Sequence, residues 1–188
     1  MKAAPLIGIS RHRLSTDGEG VTTLVAFHGC PLRCKYCLNP QSLHSEDIWK
    51  HYDCGQLYEE VKQDELYFLA THGGITFGGG EPCLQSDFID EFRQLCGQEW
   101  QLSVETSLNV AQENIEKLVP VVDSYIIDIK DINNAIYQKY TGKDNEKVLH
   151  NLQYLIDHGK NEQIIVRTPV IPAYNTENDV DYSIRLLK

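Results

Sequence analysis

Five short apolar segments of strand character alternate along this chain with helix-like ones, and that alternation limits the fold more than any other feature. The strand candidates run over residues 21–27, 74–77, 101–104, 124–129 and 163–168, with helical patterns over residues 55–71, 86–96, 111–118 and 147–158 between them. Parallel neighbours cannot be joined by a tight turn and need a crossover, usually a helix, so the order predicts a parallel sheet with helices packed on it. Beyond the fifth strand, Thr176 can cap a helix whose apolar stripe is Val180, Ile184 and Leu187. That helix either closes the fold or precedes a sixth strand outside these 188 residues. The expectation is one α/β domain, residues 1–188, built as a partial (β/α) barrel of five or six parallel strands.

The polar signatures fall where such a fold would bring them together. Cys30 to Cys37 follow the first strand, and Gly78-Gly79-Gly80-Glu81-Pro82 follow the second. Glu105-Thr106-Ser107 follow the third, Asp128 and Lys130 end the fourth, and Arg167 lies near the end of the fifth. The C-terminal ends of parallel barrel strands share one rim, where active sites are assembled. Residues far apart in sequence are therefore expected to line one cavity.

Cys30, Cys34 and Cys37, spaced C-x3-C-x2-C, bring three thiolates around one small metal centre. Soft thiolates select iron–sulfur clusters, zinc or Cu(I). Three ligands would leave one iron of a cubane cluster open to bind something else. Zinc could take the same cysteines with His28 or His44 as a fourth ligand, and three thiols could also simply pack or pair in disulfides. Cys54, Cys83 and Cys96 are widely spaced, form no second cluster motif, and read as small buried residues. Successive glycines at 78–80 let backbone approach a neighbour closely and adopt positive φ.

The formal net charge of −10 argues against broad electrostatic binding of nucleic acid. No run of ~20 apolar residues offers a membrane span, and residues 1–8 carry no clear secretory signal. Six cysteines, three of them clustered, point to reduced thiols and so to the cytoplasm.

The cysteine spacing, with Tyr36 just before the last thiol, resembles the cluster motif of the radical S-adenosylmethionine (SAM) superfamily. Gly79-Gly80-Glu81-Pro82 resembles that family's glycine–glycine–glutamate motif. The stretch Asp17-Gly18-Glu19-Gly20-Val21-Thr22-Thr23 looks like the N-terminal signature of glycyl-radical-enzyme activases, of which the pyruvate formate-lyase activating enzymes are the nearest type. The similarity runs from about Gly8 to Asn175. It implies a barrel of the radical SAM type. Cys30, Cys34 and Cys37 would ligate a 4Fe–4S cluster whose open iron binds SAM and whose electron cleaves it to a 5′-deoxyadenosyl radical.

The resemblance also assigns roles around SAM. Tyr36, Cys37 and Leu38 match positions that line the adenine, and Gly79 and Gly80 match the motif that contacts the methionyl group. A side chain at Gly80 would then block SAM while sparing the cluster. Glu105-Thr106 matches an Asp-Thr pair that holds the SAM amino group, with glutamate in place of aspartate. Asp128-Ile129-Lys130 matches a stretch whose lysine reaches the ribose and whose aspartate helps bind a monovalent cation, and Arg167 matches a family arginine. The implied partners are a glycyl-radical enzyme and an electron donor such as flavodoxin or ferredoxin, with no nucleic acid and no membrane.

Several positions depart from the family pattern. Glu19 and Thr22 stand where a proline and a partner-engaging arginine are usual, and Ser107-Leu108 replaces Asn-Gly. A family histidine after the sixth strand has no counterpart within these residues. Two other functions compete with an activase: a radical SAM enzyme acting on a small molecule or short peptide, and a non-catalytic zinc module.

Overall fold

The computed structural model describes residues 3–187. Seven strands form one sheet: β1 (Ala4–Leu14), β2 (Val21–Phe27), β3 (Lys50–Tyr52), β4 (Gly74–Gly79), β5 (Gln101–Thr106), β6 (Ser124–Asp128) and β7 (Ile164–Arg167). Their order across the sheet is β3-β1-β2-β4-β5-β6-β7. From β2 to β7 every neighbouring pair is parallel, which makes the five expected strands a continuous parallel unit. The molecule is an α/β partial barrel. β1 and β3 add an antiparallel edge that the apolar pattern did not reveal.

The crossovers are α1 (Cys54–Val61), α2 (Glu65–Thr71), α3 (Ser86–Cys96), α4 (Gln112–Leu118), α5 (Asn134–Thr141) and α6 (Glu146–Asp157), followed by α7 (Glu177–Leu187). The single helix expected over residues 55–71 is broken by a 3-10 turn at Lys62–Asp64. The break turns Asp64 inward, where its carboxylate accepts from Arg11 Nη1 and Thr23 Oγ1, each at 2.8 Å. A continuous helix would forfeit this anchor, which ties the crossover to β1 and β2. α5 was also unexpected. It starts at Asn133, whose side chain accepts from the Ala135 N–H at 3.0 Å, and stops at Gly142 in the left-handed conformation.

Side chains alternate across each strand, and one face of the sheet holds the core. Phe27 on β2 stacks on Phe77 of β4 at 5.5 Å, while Phe88 and Phe92 of α3 meet them edge-on at 5.6 Å. Burying each of these rings favours folding by roughly 1.5–3 kcal/mol. Ile75, Leu102, Val104, Tyr125 and Ile127 extend the same layer under the helices. The other face carries Thr76, Ser103 and Glu105. Against it the β1–β2 loop folds at the N-terminal end of the strands, with Thr76 Oγ1 donating to the Asp17 carbonyl. The core thus fixes the strands, while the opposite face mixes these polar side chains with Leu24 and Ile126 and leads to a polar C-terminal rim.

Candidate active site at the strand ends

A cavity of about 540 Å³ opens at the C-terminal ends of the parallel strands. Its walls include Cys30, Cys34, Cys37, Tyr36, Leu38, Gly79, Gly80, Glu105, Thr106, Asp128, Lys130 and Arg167. These are the sequence-derived candidates, with one exception. The Ile129 side chain is fully buried in the core, and its N–H donates to the Arg167 carbonyl at 3.0 Å. Ile129 therefore acts as a core anchor between two cavity-facing residues, not as a wall.

The loop bearing the cysteines is fastened by backbone. The Gly29 N–H donates to the Ser42 carbonyl at 2.9 Å, Glu81 N–H to the Gly29 carbonyl at 2.7 Å, and Gly80 N–H to the Phe27 carbonyl at 2.9 Å. Asn39 Nδ2 closes the far side onto the Gly79 carbonyl at 3.0 Å. A Cβ on Gly80 would stand 2.2 Å from the Gly29 carbonyl oxygen, so this glycine is required by the cluster loop itself. A side chain there would also push against backbone that carries Cys30 one residue later, so the cluster loop restricts this position in addition to any ligand. Gly79 has φ +93°, and its Cβ would meet the Phe27 carbonyl at 2.7 Å.

Glu81, which the resemblance counts within the motif set against the methionine moiety, is the buried clamp of this half. Only 1% exposed, its carboxylate accepts from Thr106 Oγ1 (2.6 Å), Ser107 Oγ (2.6 Å), the Ser107 N–H (2.9 Å) and the Cys83 N–H (3.2 Å). A buried carboxylate is tolerated when it is hydrogen-bonded this fully. It locks the end of β4 to the end of β5. Its place directly after the glycines, two residues before Cys83, was the available signal.

The three thiols are free and partly buried. Burial pushes the Cys30 thiol up to about 12, with the Glu81 carboxylate adding to the effect, and also raises Cys34. Such thiols ionise when a metal takes them as thiolates. Three free thiols lining one cavity suit a cluster whose irons each take a thiolate. Neither histidine considered for zinc lines the cavity, and His28 Nε2 lies 3.0 Å from the His44 carbonyl.

Across the cavity the ends of β5, β6 and β7 present a four-charge network. Arg167 Nη2 donates to Glu105 Oε1, Arg167 Nε to Asp128 Oδ1 at 3.0 Å, and Lys130 Nζ to Asp128 Oδ2 at 2.8 Å. The register that sets Asp128 beside Arg167 makes this pairing. Gly78 makes room for it, since a Cβ there would stand 3.3 Å from Glu105 Oε2. Desolvation raises the Glu105 carboxyl above its ordinary value despite Arg167. Burial works against the Lys130 charge, yet Asp128 outweighs it and holds the ammonium above its usual range. The wall thus offers both signs of charge within reach of one ligand, which is what a zwitterionic amino-acid end requires.

The signature at Asp17–Thr23 lies elsewhere. Asp17 is buried and paired with Arg13, and Thr22 is 3% exposed within β2. Thr22 therefore presents no docking surface of its own. Cys54, Cys83 and Cys96 are all buried.

Comparison with known proteins agrees with this geometry. The model of the "Radical SAM superfamily" matches residues 24–187. The chain is 30% identical to the (2S)-3-sulfopropanediol dehydratase activating enzyme of Klebsiella oxytoca, over 86% of this chain and 69% of that protein. It is also 30% identical to the pyruvate formate-lyase 1-activating enzyme of Escherichia coli K12, over 88% and 67% respectively. Among solved structures, a domain of pyruvate-formate lyase-activating enzyme from Bacteroides vulgatus superposes with a TM-score of 0.52 at 27% identity, covering 61% of this chain and 71% of that one. Streptococcus suis SuiB bound to S-adenosylmethionine shares the fold, with a TM-score of 0.64 at 13% identity, covering 87% and 38%.

Proposed function

The chain belongs to the radical SAM superfamily, and from that premise we propose that it is a glycyl-radical-enzyme activase. The observation that carries the assignment to this site is the convergence of Cys30, Cys34, Cys37 and the Glu105–Arg167–Asp128–Lys130 network on one open cavity. A 4Fe–4S cluster and SAM, when bound, supply a 5′-deoxyadenosyl radical through one-electron cleavage of the sulfonium. The activase reading rests further on the relatives named as activating enzymes.

The residues divide the work. Cys30, Cys34 and Cys37 would hold three irons of the cluster and leave the fourth open to SAM. Glu105, with Thr106, would take the SAM ammonium, and Lys130 would donate to the ribose. Arg167 keeps Glu105 and Asp128 apart in charge and fixed in place. Gly79 and Gly80 set the distance between the cluster loop and the β4–β5 edge. Tyr36 and Leu38, 57% and 93% exposed, form an apolar lip suited to the adenine and to an incoming peptide. The hydrogen atom would pass from a glycine Cα of the partner enzyme to the 5′ carbon, leaving the radical on the partner.

Both oxygens of Asp128, the residue matched to a monovalent-cation ligand, accept from Arg167 and Lys130, and this reading does not depend on a cation there. An external one-electron donor, flavodoxin or ferredoxin, belongs to the proposal. The reduced thiols fit the cytoplasm. Among the described residues no helix is long and apolar enough to cross a membrane.

The test is anaerobic co-incubation with candidate glycyl-radical enzymes from the same genome, read by electron paramagnetic resonance. A glycyl doublet that needs both SAM and reductant supports the activase. Silence from every candidate, with a small metabolite accelerating SAM cleavage, would replace it with small-molecule chemistry.

A further inference from the structure

The charge of this protein is unevenly spread, and the exception lies against the cluster loop. Residues 28–45, 132–143 and 168–176 build the loop walls of the cavity and contain Arg33, Lys35, Lys139 and Lys143 but no Asp or Glu. These segments carry +4 of a chain whose net charge is −10, so the remainder carries −14. Backbone pairing gathers the four cations. The Arg33 N–H donates to the Thr141 carbonyl at 2.8 Å and the Lys35 N–H to the Tyr140 carbonyl at 3.2 Å, laying the cluster loop along the end of α5. A Cβ at Gly142 would lie 4.0 Å from the Arg33 Cβ.

All four side chains are exposed, and among the described residues none is in an ion pair. Arg33 Nη1 spends its hydrogen bonds on the Cys30 and Leu32 carbonyls at 2.8 and 2.9 Å, which leaves its charge uncompensated. Lys139 Nζ sits 5.4 Å from the Tyr174 ring centre. Lys139 also suits the negative end of α5, but Arg33 and Lys35 belong to no helix. The carboxylates that adjoin these segments in sequence, Glu46, Asp131, Asp144 and Glu177, lie just beyond their ends.

The four cations line none of the cavity. A molecule that gives up a hydrogen atom must enter the cavity past the apolar lip of Tyr36, Leu38 and Val170. A molecule that delivers only an electron needs no entry. It needs a face close to the thiolates and an attraction strong enough to orient it briefly. Weak redox encounters use small interfaces, and complementary charge sets their on-rate and orientation.

Resting on the radical SAM reading above, we propose that Arg33, Lys35, Lys139 and Lys143 form the docking surface for an acidic, protein-borne one-electron donor. The donor loses one electron and the cluster behind the loop gains it, and no atom or proton crosses the contact. The acidic remainder of the protein repels such a donor elsewhere and confines it to this face.

The experiment measures binding of an acidic flavodoxin to the full chain at about 20 and 200 mM salt, and in parallel the rate of 5′-deoxyadenosine formation with that flavodoxin or with dithionite. Lys139→Glu/Lys143→Glu removes half of the patch without touching the cysteine loop. Lys62→Glu/Arg185→Glu, at exposed sites far from it in sequence, makes the same change in net charge. The patch variant should weaken flavodoxin binding roughly tenfold at low salt, and the difference should shrink at high salt. Its dithionite-driven rate should stay within about twofold of wild type, and the control variant should bind within about twofold. Equal weakening by both variants would overturn the surface in favour of net charge alone. Unchanged flavodoxin binding with impaired glycyl-radical formation under dithionite would also overturn it, by giving the patch to the radical acceptor. Since binding is read without catalysis, absence of any glycyl radical would defeat the activase reading and leave this docking result standing.

Discussion

The two walls of the cavity are built by different means. The wall made by the cysteine loop and the glycine turn is held mostly by backbone: the carbonyls of Phe27, Gly29 and Ser42 accept from the Gly80, Glu81 and Gly29 N–H groups, and Asn39 Nδ2 adds one bond to the Gly79 carbonyl. The wall made by β5, β6 and β7 is held by side chains, in the chain of ion pairs Glu105–Arg167–Asp128–Lys130. A backbone lattice has one geometry and fails as a unit. Partly exposed ion pairs can exchange partners at small cost, since exposed pairs contribute only about 0–1 kcal/mol. The first design suits a cluster whose irons must be placed rigidly. The second suits a zwitterionic ligand, whose ammonium and carboxylate can take over charges that pair with one another when it is absent.

The contrast is most easily broken at the cysteines. Cys34→Ala should take anaerobically reconstituted protein from about four irons per chain to essentially none, assayed by iron content and the brown absorbance. A variant that still held a full complement of iron would mean that the triad is not the ligand set. Gly80→Val comes next. Its Cβ would sit 2.2 Å from the Gly29 carbonyl, so the loop must move, and a loss of about 2–4 kcal/mol in stability is expected together with lost iron. Iron retained at wild-type level with only SAM binding lost would show that the backbone wall yields more readily than this account holds.

The side-chain wall should respond separately. Arg167→Met is expected to leave iron content unchanged and to weaken SAM binding roughly tenfold, about 1.4 kcal/mol, measured by calorimetry on the cluster-loaded protein. Lost iron in that variant would mean the two walls are not independent. The smallest effect concerns pH. The Glu105 carboxyl is raised above its ordinary value, chiefly by burial, so the folded state binds its proton more tightly than the unfolded chain does. Stability from this group is then present below the unfolded value and is lost as pH rises through the folded one. Glu105→Gln should therefore gain a few tenths of a kcal/mol over wild type in the ligand-free protein at pH 7, given the partial exposure of the site. The gain should fade as pH drops below the raised value. Denaturant melts at a series of pH values check the sign, and a gain that grew towards acid would contradict it.

What the sequence disclosed follows the same division. The five parallel strands were legible because each is a short apolar run followed by a polar signature, and both periods survive in the amino-acid order. The triad and the glycines were legible as motifs. β1 escaped because Arg11, His12 and Arg13 interrupt its alternation, and the register shifts between Ser10 and Arg13 with His12 at φ +55°. β3 has only three residues, too few for any period. α5 is short, although Asn133 and Gly142 mark both of its ends. The role of Glu81 was hidden because its partners Thr106 and Ser107 lie 25 and 26 residues away, and only the fold brings them together. The contact of Gly80 with the Gly29 carbonyl was hidden for a similar reason: sequence announces close approach at a glycine, but not what approaches.

The most direct test of the account is the product of the cavity as a whole. Anaerobically reconstituted protein, incubated with SAM and dithionite, should form 5′-deoxyadenosine and methionine in equal amounts, quantified by liquid chromatography and mass spectrometry, with Cys34→Ala forming neither. Protein purified under iron-replete anaerobic conditions that instead carried stoichiometric zinc and left SAM intact would contradict it.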